Sequence, residues 1–307
     1  MATHSTGARS SLVTPVVSAY WKTGAMALRH PSFLDLETLL SQAEYHNVDV
    51  PVAQDIVETT ARKRSGGGKA GIGPLALNGS AGTDVQFQST YSLAPREKAT
   101  VSKVIDGLIH EKAVSVNPAG ESALTKDALV EIEGTARITA ASVMSKLFFV
   151  FRRLMLEHDI DDLSELANLD VNDADVAQAI QRVYLHNELL PLPMLLEITD
   201  SPLPHKVYVN VRPGYFIDEA SADHLEGDMR ILGSVYRLVP QDEYRVTDEW
   251  LLHGWEFMMR RIMMVQIQDD LREVTQQLNR LGLDVPDDDV HAYISGPAVV
   301  LDAIALY

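Results

Sequence analysis

The chain has no cysteine. That excludes disulfides, thiolate nucleophiles and zinc or iron–sulfur centres held by cysteine. Positive charge is also scarce, with 26 Lys and Arg against 43 Asp and Glu, a formal net charge of −17. A field of that sign repels phosphate-rich surfaces, so nucleic acid is not an expected partner. Long apolar runs are missing too. No stretch approaches the roughly 18 uninterrupted apolar residues of a membrane helix, so no membrane span is expected. The opening MATHSTGARSSLVTPVVSAYWK is broken by Pro15 and by Ser/Thr residues. It does not read as a signal peptide, and a cytoplasmic location is the default expectation.

What is present suits a globular protein. Of 307 residues, 46% are hydrophobic and 22% charged, enough to form a core without metal or disulfide staples. Three parts are expected: a flexible segment over 1–30, an α+β part with acidic helices over 31–190, and a C-terminal α+β part over 191–307. The second boundary is placed at LPLPM, where Pro191 and Pro193 interrupt helical structure. The fold class expected is α+β, with mixed short strands and helices, an acidic helical middle, and C-terminal strands packed on a long Met-rich helix. Regular β-α-β alternation is absent, which argues against a doubly wound sheet.

The individual elements follow from periodicity. Leu36, Leu39, Leu40 and Ala43 mark one helix face, capped by Ser32 or Asp35. Pro95 opens a second helix striped by Val101, Val104, Ile105 and Leu108. ALVEIEGTARI is a strand. The helix after it, with Leu147, Phe148, Val150, Phe151, Leu154 and Met155, has little polar face and is expected to be buried. DVPVAQDIVETTA and VQFQSTYSL are read as strands, as are MLLEIT, KVYVNV, MRILGSVYRLV and AYISGPAVVLDAIALY. From Glu249 a helix is expected to run towards Leu281. Leu251, Trp255, Met258, Ile262 and Val265 form a first seam at 4-3-4-3 spacing. Ile267, Leu271, Val274, Leu278 and Leu281 form a second, offset by two residues.

Four features invite a functional reading. Arg62, Lys63, Arg64 and Lys69 place four positive charges beside Gly66, Gly68 and Gly71, which fit G-x-G-x-x-G. A phosphate cradle needs a strand before such glycines and a helix after them. Here the preceding segment is polar, IGPLAL follows, and Lys69 is followed by Ala70, so a mobile surface loop docking on an acidic partner is the plainer reading. Second, 11 acids and one base between Leu154 and Asp200 hold −10 of the chain's −17. EHDIDD lacks the glycine turn and closing Glu of a calcium loop, so a solvated acidic face is preferred. Third, ten histidines include His186, His224, His253 and His291 but form no H-E-x-x-H pair. No G-x-S-x-G elbow accompanies them, Gly233-Ser234 being part of a strand. No metal or cofactor is expected. Fourth, Met258, Met259, Met263 and Met264 crowd one helix near Trp255. Methionine makes adaptable contact surfaces, although a helix apolar all round is more often simply buried.

The order LVEIEGTARI, ILGSVYRLVP, GPAVVLDAIALY resembles a family of bacterial cytosolic proteins of unknown function. The SFLDLETLLSQ helix and the glycine-rich loop before VQFQSTYSL fit the same pattern, from about residue 32 onward. The resemblance implies a bacterial cytosolic α+β protein and supplies no activity, cofactor or catalytic residue.

The leading functional expectation is a non-enzymatic interaction or sensor protein, self-associating or binding a protein partner. Its surfaces would be the glycine loop and the interaction helix carrying Trp255, Met258, Met259, Met263 and Met264. A stress or phage-defence setting would suit a bacterial protein of this kind. One alternative is an enzyme whose site is assembled from scattered His, Asp and Glu. Another is a nucleotide or phosphate-ligand binder using Arg62, Lys63, Arg64 and Lys69.

Overall fold

The computed structural model describes residues 28–49, 93–118, 120, 123–157, 192–217, 225–267 and 292–307. In chain order these contain β1 (Phe33–Leu34), α1 (Leu36–Tyr45), α2 (Pro95–His110), β2 (Val114–Val116), β3 (Leu129–Ile138) and α3 (Ala140–Glu157). Next come β4 (Met194–Thr199), β5 (Lys206–Val211), β6 (Gly227–Val239), β7 (Tyr244–Val246), α4 (Asp248–Leu251), α5 (Phe257–Ile267), β8 (Tyr293–Ser295) and β9 (Ala298–Leu306). Helices and strands mix as an α+β chain should.

Alternation along the strands dictates what they close around. In β5, Val207, Val209 and Val211 face one way and Tyr208 and Asn210 the other, as the two-residue period of a strand requires. The inward set joins Val130 and Ile132 of β3, Leu196 and Ile198 of β4, Ile231 and Val235 of β6, and Val299 and Leu301 of β9 in one core. Pairing runs β3-β4-β5-β9, and β6 then bonds both β9 and β3, so five strands close into a barrel. Only the β5–β9 contact within that ring is parallel. Strands from before and after LPLPM therefore share one barrel, since β3 pairs with β4 and β6 across that point.

β3 and β9 each extend past the ring and pair with a short extra strand. β2 lies parallel to the start of β3, and β1 antiparallel to the end of β9. Between β2 and β4 on the β3 edge, Asn117 takes the place of a strand. Its N–H donates to the Glu131 carbonyl at 2.8 Å, and its Oδ1 accepts the Glu133 N–H at 3.2 Å.

The barrel's outer wall is covered on two sides. On one, α1 and α2 bury Leu36, Leu39, Val101, Val104, Ile105 and Leu108 against Leu129, Leu232, Ile304 and Ala305. Asp35 caps α1 by accepting the Thr38 N–H at 3.1 Å and the Thr38 hydroxyl at 2.8 Å. On the other, the start of α3 and Trp250 of α4 cover Leu195, Tyr208 and Val300. Here Thr139 and Ser142 replace the strand that β3 no longer provides. Ser142 Oγ accepts the Leu195 N–H at 2.7 Å and donates to the Leu195 carbonyl at 3.0 Å, and Thr139 Oγ1 donates to the same carbonyl at 2.9 Å.

Three expectations need correction. α3 is not a wholly buried helix: Ala140, Ala141, Ser142, Met144 and Ser145 are buried, while Leu147 and Phe148 are half-buried. Ala141 in its first turn packs on Leu195, Tyr208 and Val300 of the barrel, while the side chains of Val150, Phe151, Leu154 and Met155 lie outside those described. The helix expected from Glu249 is broken into α4 and α5 where Gly254 takes φ +83°, a conformation only glycine adopts without cost; its second seam, from Leu271 to Leu281, lies outside the described residues. AYISGPAVVLDAIALY is likewise two strands: β8 pairs with β7, and β9 enters the barrel after the Gly296–Pro297 turn. The strands expected over DVPVAQDIVETTA and VQFQSTYSL, and the helices expected over 160–187, lie outside the described residues.

Two substitutions test this architecture. A Cβ on Gly134 would sit 2.5 Å from the Thr199 carbonyl oxygen and 2.6 Å from Ile198 Cγ2. Gly134→Ala should therefore lower unfolding free energy by about 1–3 kcal/mol, as overpacking does. Ser142→Ala leaves the buried Leu195 N–H without its acceptor and should cost about 1–3 kcal/mol. Urea unfolding measures both, and an unchanged midpoint in either would count against the corresponding contact.

Candidate interaction surface

α5 starts on a side-chain cap. Glu256 Oε2 accepts the N–H groups of Met258 and Met259 at 2.9 and 3.2 Å, and its carbonyl accepts from Arg260 N–H at 2.9 Å. The capping carboxylate and Gly254 together start a new helix where the spacing alone suggests a continuing one.

Successive residues around α5 then turn to two opposite sides. Met263 and Met264 are 4% and 5% exposed and pack with Ala140, Met144, Leu251, Leu252 and Ala292. Met258, Ile262 and Val265 are 58%, 46% and 80% exposed. They are spaced i, i+4, i+7, so they stand one above another on the side away from the buried methionines. Phe257, half exposed, lies beside the row, with the Arg261 guanidinium 4.6 Å and that of Arg260 5.7 Å from its ring centre. Soluble proteins scatter single exposed apolar side chains freely; here three stand in one row beside an exposed aromatic ring.

The expected interaction residues thus divide. Met263 and Met264 belong to the core, where plain packing was the simpler reading. Met258 faces outward. Met259 and Trp255 are half-buried at the margin, with Trp255 packed against the α3–α5 core. Phe257, Arg261, Ile262 and Val265 were not among the expected contact residues. The signal for Ile262 and Val265 was the 4-3 seam itself, which marks an apolar face but not whether the protein's own core covers it.

α5 carries Arg260 and Arg261 and no acid. Arg260 lies 3.6 Å from Asp248. Arg261 is exposed and, among the described residues, meets no carboxylate. Partial desolvation holds the His253 imidazole below its ordinary value, and Arg260 and Arg152 push in the same direction; a hydrogen bond to the Glu249 backbone opposes them.

Two other polar groupings hold the frame together. Glu131, buried on the outer side of β3, lies 3.4 Å from Arg230. Arg29 is 2.6 Å from Asp106 of α2 and stacks 5.1 Å over the Tyr307 ring. Burial raises the Tyr307 phenol above its usual range, and Glu131 adds to this. These groups sew the segment before β1 to α2 and the barrel. Across the molecule, Trp250 Nε1 donates to Asn210 at 2.9 Å, and Asn210 and Arg212 both reach Asp302 at 2.7 Å.

The other candidate residues can be placed briefly. Arg62, Lys63, Arg64, Gly66, Gly68, Lys69 and Gly71 lie outside the described residues, as do His186, His224, His291 and, after Glu157 at the end of α3, the HDIDD of the EHDIDD stretch. Gly233 and Ser234 are in β6, as expected. Among the described residues no group of three or more His, Asp or Glu is arranged to hold a metal ion. Among them, too, no helix is long and apolar enough to cross a membrane.

By class, the described chain is an α+β protein built on a closed five-stranded barrel. No family model, curated protein or solved structure matches it. The outward Leu195 of β4 and Tyr208 of β5 are buried against Ala141 and Trp250.

His253 yields a pH prediction. The unfolded imidazole takes up its proton near pH ~6.5, and the folded one only at lower pH. Stability should be flat above that value and decline as the pH falls through the interval between the two. The decline should be shallow because His253 is exposed. His253→Gln should flatten this part of the profile, as followed by the melting temperature between about pH 7.5 and 5.5. Identical slopes in the two proteins would contradict the placement of the ring.

Proposed function

We propose that this protein acts by association, with the barrel as a rigid platform and the outward row of α5 as its docking surface. The observation that carries this reading is the exposed alignment of Met258, Ile262 and Val265 beside Phe257. Covering a fully exposed aliphatic side chain stabilises by about 1.5–3 kcal/mol. Side chains already half covered would each gain on the order of 1 kcal/mol. Two methionines anchor the helix from the other side, so it presents its outer row without having to fold first, which lowers the cost of binding. The covered face of β4 and β5 is compatible with this reading, because Leu195 and Tyr208 there are already buried against Ala141 and Trp250.

The test is a comparison of the full chain with Ile262→Asp, a change at a half-exposed position that should leave the melting temperature within about 2 °C. Sedimentation velocity and quantitative co-purification from source-cell extract should show a species present with the wild type. It should be depleted at least about tenfold, or roughly 1.4 kcal/mol, in the variant. If both proteins sediment as identical monomers and co-purify with the same material, association through this row is wrong.

A further inference from the structure

We infer that the occupant of the α5 row is an acidic amphipathic helix belonging to another protein. The inference rests on the association reading and adds the chemistry of the partner. Met258, Ile262 and Val265 span seven residues, about 10.5 Å along the axis at 1.5 Å per residue. Apolar side chains at this spacing are what one helix offers another when the two pack along their length.

Charge chooses among the possible partners. The whole chain carries −17, yet α5 holds two arginines and no acid. Of these, Arg260 is already matched by Asp248, 3.6 Å away, which leaves Arg261 as the exposed charge of the helix. Arg261, exposed at the edge of the row and stacked on Phe257, is placed to meet a carboxylate flanking the partner's apolar stripe.

The same arginine disfavours a second copy. Arg261 and Ile262 lie at the middle of the Met258–Val265 row, so an antiparallel two-fold pairing would set one Arg261 against the other. An extended polyanion is disfavoured for a different reason. Its many phosphates would lie in the long-range negative field of the chain, whereas a short helix brings its acids only to the local basic edge. At physiological salt that field is screened over about 8 Å, so it counts against a polyanion only where its phosphates run within that distance of the chain's other acids.

The test uses two stapled helical peptides with the same i, i+4, i+7 leucine row, one flanked by glutamates and the other by lysines. Each is titrated with the full chain by fluorescence anisotropy at about 0.15 M salt. The glutamate peptide should bind at least about tenfold more tightly. Arg261→Glu should invert the order, Arg261→Gln should abolish the difference, and Ile262→Asp should remove binding of both while unfolding midpoints stay unchanged.

Equal affinities, or a preference for the lysine peptide, would overturn the acidic partner and leave association through α5 standing. Self-association removed by Ile262→Asp would make a second copy the occupant. Retention on phosphatidylserine vesicles removed by the same change would make it a lipid surface. Either result overturns the inference. If neither peptide binds and no species in solution depends on Ile262, the association reading falls with it.

Discussion

β6 bonds β3 along one edge and β9 along the other, and everything else is arranged around that double pairing. Without it the strands would form an open sheet with two long unpaired edges, each a template for unwanted pairing. With it the inward valines, leucines and isoleucines face one another across a closed interior. Two register shifts, at Leu232/Gly233 and Val235/Arg237, accompany the closure. Bulges of this kind increase local bend and twist, which a ring of only five strands requires. Gly134 adds room on the opposite side, where β3 comes close to the end of β4.

The barrel then determines where helices can sit. Its outer wall offers apolar strips next to polar ones, and the helices cover the apolar strips. α1 and α2 take the side bearing Leu129, Leu232 and Ile304. The start of α3 and Trp250 take the side bearing Leu195, Tyr208 and Val300. Thr139 and Ser142 are polar within otherwise apolar surroundings because β4 needs hydrogen-bond partners where β3 ends. α5 rests on this second layer rather than on the barrel. A helix in an outer layer can bury only one side, and that is why Met258, Ile262 and Val265 remain exposed while Met263 and Met264 do not.

Much of this was legible locally. Alternation in KVYVNV and ALVEIEGTARI marks strands with one buried side, and the stripe after Pro95 marks a helix. The Met-rich segment was recognisable as apolar on more than one side, but its division into core and surface was not. The seam from Leu251 to Val265 keeps 4-3 spacing straight across the break at Gly254. Periodicity therefore suggests one helix where the chain makes two, because spacing does not register a residue with positive φ. Arg261 showed no special character in the sequence, since its significance comes from the exposed ring beside it.

By itself, then, the sequence determined the kinds of elements, the absence of thiol chemistry, the strongly negative charge, and the apolar character of the helix after Gly254. These depend on residue identity and on contacts a few positions apart. Only the tertiary structure decided that β3, β4, β5, β6 and β9 close on themselves, that Ser142 serves the backbone of a strand 53 positions away, and that one side of α5 stays uncovered. Those outcomes depend on which distant surfaces meet. An apolar side chain is equally apolar whether the fold covers it or leaves it for another molecule.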